Sequence, residues 1–151
     1  MIHLDLEEYS EALKYLNRSL EFYPDDRLTL SNIGFVALSS GKYQKAIEIF
    51  NSLLSEESLF GFVYSNLGFA KYKLGKTEEA IEDLNQALLI NPTNSFAYKN
   101  RAIIYFDLGE NDKACEDLEE AKKLGYSIKY DDFVIKLLFE KCLNVNKKPG
   151  Q

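Results

Sequence analysis

The chain has 151 residues, 46% apolar and 28% charged, with 18 basic against 24 acidic side chains and a net charge of −6. That length fits one domain with enough apolar surface for a real core. The acid excess is the opposite of the basic footprint that nucleic-acid binding requires, so a nucleic-acid partner is not expected. The longest stretch without a charge, Leu84 to Tyr98, has 15 residues, short of the roughly 18–20 apolar residues of a membrane span. The opening MIHLDLEEYSE carries Asp5, Glu7 and Glu8 and shows no basic start or apolar run. It does not read as a signal peptide, and a cytoplasmic location is expected.

A step of 34 residues organises the chain: Ala12, Ala46, Ala80 and Ala114 stand in one column, and Leu16, Phe50, Leu84 and Leu118 in another. Gly34, Gly68 and Ala102 form a small-residue column, and Gly41, Gly75 and Gly109 a turn column. Internal repeats of this period mean stacked supersecondary units. Residues 1–26 hold a partial unit, a few residues of a first helix and then a second helix from Glu8 to Tyr23, stopped by Pro24. Three full units follow, 27–60, 61–94 and 95–128. In the middle unit Tyr64, Leu67, Gly68 and Lys71 line one helix up to Gly75. Ala80, Ile81, Leu84, Ala87 and Leu88 then give the i, i+3, i+4, i+7 stripe of a second,. Asn91-Pro92 ends that helix, because proline lacks the amide and clashes with the preceding turn,. Residues 129–144 read as a capping helix without the small-residue place, and 146–151 as a flexible tail.

The run YSNLGFAKYKLGKTEEAIEDLNQALLINP resembles a tetratricopeptide repeat, a 34-residue helix–turn–helix unit,. Leu67, Gly68, Ala80, Ala87 and Pro92 match its signature, while Lys71 stands where the family usually has tyrosine. The resemblance implies an all-α fold, a right-handed helical-repeat solenoid of antiparallel helix pairs spanning residues 1–145 as a single body. It also implies that the first helix of each pair lines a concave side used for recognition.

No segment carries catalytic chemistry, and neither an enzyme activity nor a cofactor is expected. Gly75-Lys76-Thr77 resembles the end of a phosphate-binding loop, but the place that needs glycine holds Ala70, and the segment joins two helices,. Asn17-Arg18-Ser19 fits a glycosylation acceptor but sits inside a helix,. The acidic pairs Asp25-Asp26, Glu56-Glu57, Glu78-Glu79 and Asp131-Asp132 fall at helix starts or loops, where acids complement the helix dipole,. His3, the single histidine, falls where the partial unit would bury an aromatic, and one histidine cannot build a metal site. Cys115 and Cys142 sit on helices flanking the loop near Tyr126, about four residues out of level, so two buried free thiols are expected,.

Function is therefore sought on the concave columns. They read Leu28, Ser31, Asn32, Phe35, Leu38; Phe62, Ser65, Asn66, Phe69, Tyr72; and Phe96, Lys99, Asn100, Ile103, Phe106, with Lys99 alone charged. The second helices place charge on the outer columns, among them Glu48, Glu82 and Glu116. Asn32, Asn66 and Asn100 predict a ladder of amides able to pair with a peptide backbone,. Phe35, Phe69 and Ile103 flank it on one side; Leu28, Phe62, Phe96 and Tyr130 flank it on the other, with Tyr72 and Phe106 further along. This predicts an adaptor that binds a peptide or helix of another protein in an apolar, asparagine-lined groove. Some relatives clamp chaperone C-termini with cations on the first helices; the matching places here hold Ser31, Phe35, Asn66, Phe96 and Asn100. Such carboxylates would stay unpaired. The competing expectation is a structural subunit, or a fragment of a longer repeat protein. In that reading Tyr9, Leu13, Leu16 and Leu20 of the partial repeat are covered by a second copy in a homodimer.

Overall fold

The computed structural model describes residues 6–54, 61–126, 136 and 140–143. Seven helices have described bounds: α1 Leu6–Phe22, α2 Arg27–Ser39, α3 Tyr43–Leu53, α4 Gly61–Lys73, α5 Thr77–Ile90, α6 Ser95–Asp107 and α7 Asn111–Lys123. Residues 136 and 140–143 are also helical, and no strand occurs among the described residues. The fold is all-α, built of helix pairs that pack as α2 with α3, α4 with α5 and α6 with α7. The start of the partial repeat with His3, the pairs Glu56-Glu57 and Asp131-Asp132, Tyr130, most of the capping helix and the 146–151 tail lie outside the described residues.

Local chemistry sets the helix ends. Asp26 caps α2: its carboxylate accepts from the Leu28 N–H at 3.2 Å and from the Thr29 hydroxyl. Asn94 caps α6 by accepting from the Ala97 N–H at 3.1 Å, satisfying a donor that the first turn leaves without a helical partner. Gly41, Gly75 and Gly109 close the turns within the pairs at φ of 77–78°, a left-handed conformation that side chains resist.

The chain divides into two compact units, His3–Pro92 and Thr93–Gln151 with Met1–Ile2. In the first, Ala46, Ile47, Phe50, Leu53, Val63, Leu67 and Ala70 form one buried cluster shared by α3 and α4. The small-residue column has the packing reason expected of it. A Cβ on Gly68 would lie 2.9 Å from the Ala80 carbonyl oxygen and 3.0 Å from Leu84 Cγ, so α4 and α5 are closer there than any side chain allows,. In the second unit Ala102, Cys115, Leu118 and Cys142 form the buried cluster, with Ile103, Phe106 and Tyr126 packed against it.

Two ion pairs inside the helix pairs were not foreseen. Lys71 Nζ on α4 lies 2.7 Å from Asp83 and 3.5 Å from Glu79 on α5. Burial still pushes the Asp83 carboxyl above its ordinary range, against the pull of the Lys71 ammonium,. Arg101 on α6 grips Asp117 on α7 with two hydrogen bonds. The Arg101 guanidinium also lies 5.7 Å from the Tyr98 ring centroid and 5.8 Å from that of Tyr105, within cation–π range.

The cysteines correct the expectation of free thiols: Cys115 and Cys142 form a disulfide, with their Cα atoms 5.5 Å apart. The level count took Tyr126 as the centre of the connection, whereas the midpoint of the two cysteines falls between residues 128 and 129. A Cα also stands about 2.3 Å off its helix axis. Two facing Cα atoms therefore approach by about 5 Å more than an interaxial gap of about 8–10 Å suggests.

Candidate functional site

In the unit His3–Pro92 the first helices α2 and α4 are in contact with each other. Their surface carries the apolar side chains that the concave columns predict: Leu28 is 66% exposed, Phe35 52% and Phe62 41%. Asn32 is exposed and Asn66 half-buried beside them. The second helices differ, with Gln44, Lys45 and Glu48 of α3 and Glu78, Glu79 and Glu82 of α5 all exposed. Two exposed phenyl rings and a leucine on α2 and α4 stand against exposed carboxylates and amides on α3 and most of α5, whose last turn also exposes Leu89 and Ile90,.

The columns are not uniform. Ser31, Leu38 and Ser65 are buried, so these positions pack between helices and line no surface. Phe69 is half-buried against the core cluster of Phe50 and Leu67, and its ring centroid stands 6.3 Å from that of Tyr72. Lys73 places its ammonium 5.3 Å from the Phe69 centroid and 5.8 Å from that of Tyr72. Sequence reasoning passed over this lysine because it lies outside the five columns. Its position four residues after Phe69 was the available signal, since side chains at that spacing meet on a helix.

The unit Thr93–Gln151 carries the α6 members of the columns. Phe96 is 62% exposed and meets Tyr126 edge-on at 5.5 Å between centroids. Lys99 holds its ammonium 5.8 Å from the same Tyr126 ring. Ile103 and Phe106 are half-buried against the cysteine-containing cluster. Asn100 is 5% exposed, and its Oδ1 has no hydrogen-bond partner among the described residues.

Among the described residues no group of three or more His, Cys, Asp or Glu could hold a metal ion, and no helix is long and apolar enough to cross a membrane. The surface instead offers aromatic faces, amides and a few lysines, a set suited to noncovalent recognition.

Three tetratricopeptide repeat models match the sequence, over residues 62–94, 84–116 and 1–58. The chain belongs to the tetratricopeptide repeat family. No curated protein matches it by sequence. Among solved structures, it is similar to a thermophilic TPR protein of Thermus thermophilus, with a TM-score of 0.78 and 24% identity, over 95% of this chain and 77% of that one. MamA gives 0.66 and 22%, over 97% of this chain and 98% of that one. The first TPR of Spaghetti (RPAP3), bound to the HSP90 peptide SRMEEVD, gives 0.66 and 23%, over 80% and 92%. At these identities the likeness is one of fold.

Proposed function

We propose that the protein is a non-catalytic interaction module that holds a peptide or helical segment of another protein on the concave face of its first helices. The observation that carries this reading is the exposure of Leu28, Phe35 and Phe62 on adjoining helices, while the second helices expose carboxylates. Fully burying one such side chain against a partner contributes roughly 1.5–3 kcal/mol. Asn32 and Asn66 would pair with the backbone of the bound segment, donating to a C=O and accepting from an N–H. Phe69 and Tyr72 would form the trough beside them. Phe96, Ile103 and Phe106 would serve the same role on α6, where the buried Asn100 presents no amide. The Spaghetti domain with its HSP90 peptide supports peptide capture as something this fold can do.

Capture from an extract of the native source tests the proposal. Leu28→Ala with Phe35→Ala should abolish capture and leave the unfolding midpoint nearly unchanged, because both side chains are more than half exposed. Undiminished capture contradicts it.

A second reading has its own observation: Tyr15, Phe22 and Tyr23, on and just after α1, are exposed. A second copy covering them would make the chain a structural subunit. Light scattering over a range of concentrations tests this, and a monomer throughout contradicts it.

A further inference from the structure

We propose that a second copy of this chain covers the open side of α1, the two α1 helices packing antiparallel about a two-fold axis at Tyr15. By its place in the 34-residue register α1 is a second helix, and the complete pairs show what covers such a helix. The residues one, two and three steps on from Tyr15 are Ile49, Asp83 and Asp117. Each is met by the first helix of its own pair. A Cβ on Gly34 of α2 would lie 3.2 Å from Ile49 Cγ2, Lys71 of α4 pairs with Asp83 at 2.7 Å, and Arg101 of α6 pairs with Asp117. Tyr15 is instead 65% exposed. Its neighbours on that face follow it: Ala12, Leu16 and Ser19 are half-buried, whereas the residues at those places in α3, α5 and α7 are at most 2% exposed. α2 packs against α1, and Tyr9 is buried, so the helix is covered on one side and open on the other.

Charge selects the occupant and its direction. The first half of α1 carries Glu7, Glu8 and Glu11, and its middle carries Lys14 and Arg18. Glu11 and Arg18 are exposed and seven residues apart. They share one side of the helix but stand about 10.5 Å apart along its axis, too far to pair with each other. In an antiparallel pair with Tyr15 on the axis, residue 11 of one copy lies level with residue 19 of the other, one residue from Arg18. Each Glu11 then meets the Arg18 of the second copy, and the two-fold makes the contact twice. A parallel copy would set Glu11 beside Glu11 and Arg18 beside Arg18. Ala12 and Ser19, one on either side of Tyr15, are small enough to let the two helices approach closely. A dimer through α1 is what the second reading above requires, and this pairing rests on it; the direction and the register are new.

Sedimentation velocity on the full chain over a range of concentrations tests the pairing, with Tyr15→Glu, Glu11→Lys and Arg18→Glu. All three side chains are exposed, so the variants should fold. The wild type should dimerise, and Tyr15→Glu, which brings two carboxylates to the axis, should be monomeric. Glu11→Lys alone and Arg18→Glu alone should each weaken the dimer at least about tenfold, because each sets like charges together twice. An equal mixture of those two variants should associate nearly as strongly as the wild type, since both contacts of the mixed dimer join opposite charges. A wild-type monomer at every concentration overturns the pairing together with the second reading. A dimer that Tyr15→Glu leaves intact places the contact away from this side of α1 and overturns the pairing. A dimer lost in Tyr15→Glu, with charge variants that fail to rescue each other, overturns the antiparallel register and leaves the second reading standing.

Discussion

Arg101 binds Asp117 through two parallel hydrogen bonds, Nε to Oδ2 at 2.8 Å and Nη2 to Oδ1 at 2.7 Å, and so joins α6 to α7 by a fork. The first full repeat holds Ile33 and Ile49 at the same two places, and the second holds Leu67 and Asp83. The same two positions thus pass from a pair of apolar residues to an ion pair along the chain. Removing one partner of a buried pair strands the other charge, and the loss is about 3–5 kcal/mol. Arg101→Ile alone should destabilise the chain by about that much. Arg101→Ile with Asp117→Ile restores the apolar pair of the first repeat and should be neutral or stabilising. Denaturant unfolding of the three proteins measures the difference.

The crossing of α4 and α5 yields a second prediction. Gly68→Ala sets a methyl group 2.9 Å from the Ala80 carbonyl oxygen, and a backbone atom cannot turn aside as a side chain can. Ala80→Leu presses on the same crossing, since Ala80 is fully buried. Each should cost roughly 1–3 kcal/mol through overpacking. Unchanged thermal midpoints would show that the helices can part there without loss.

Two carboxylates should respond oppositely to acid. The Thr29 hydroxyl, followed by the Leu28 and Thr29 amides, holds the Asp26 carboxyl below its ordinary value of 3.8. Its contribution to stability is complete above that value and disappears as the pH falls through the folded pKa. Burial holds Asp83 above the same ordinary value. Its folded form keeps the proton longer than the unfolded chain does, so its contribution declines as the pH rises through the interval above 3.8,. Carbon-13 titration of the carboxyl groups should find Asp26 below and Asp83 above the ordinary value. Asp26→Asn should flatten the acid limb of the stability curve, and Asp83→Asn should remove the opposing slope.

The repeat was legible because each column carries one kind of residue: alanine at 12, 46, 80 and 114, and glycine at 41, 75 and 109. Packing enforces those columns, so period alone predicts the helices and turns. The ion pairs escaped because their columns are mixed. Arg101 follows Ile33 and Leu67, and an average over the column hides the exception. The disulfide escaped because axis spacing was used for a distance that depends on which sides of two helices face each other. Within the candidate face, sequence placed Phe35 and Phe62 on the correct helices but could not tell an exposed asparagine at 32 from a buried one at 100. Burial of those amides depends on what the neighbouring segments cover, and the repeat carries no record of it.

The charge pattern of the face predicts a negative result. None of Ser31, Phe35, Asn66, Phe96 and Asn100 is cationic, and two of these, Ser31 and Asn100, are buried. A peptide ending in aspartate, with its side-chain and terminal carboxylates together, would leave them unpaired against phenyl rings. The peptide SRMEEVD, held by the Spaghetti domain, should show no binding to this chain in the low micromolar range by calorimetry. Binding in that range would show that Lys73 or Lys99 supplies the missing charge.

Position-specific photocrosslinking in an extract of the native source tests the recognition face most directly. A photoreactive benzoylphenylalanine is placed in turn at Phe35 and Phe62 on the first helices, and at Glu48 and Glu82 on the second. A partner seated on the concave face predicts one shared crosslinked product at Phe35 and Phe62, and none at Glu48 or Glu82. A product that forms at Glu48 and Glu82 and is absent at Phe35 and Phe62 would contradict it.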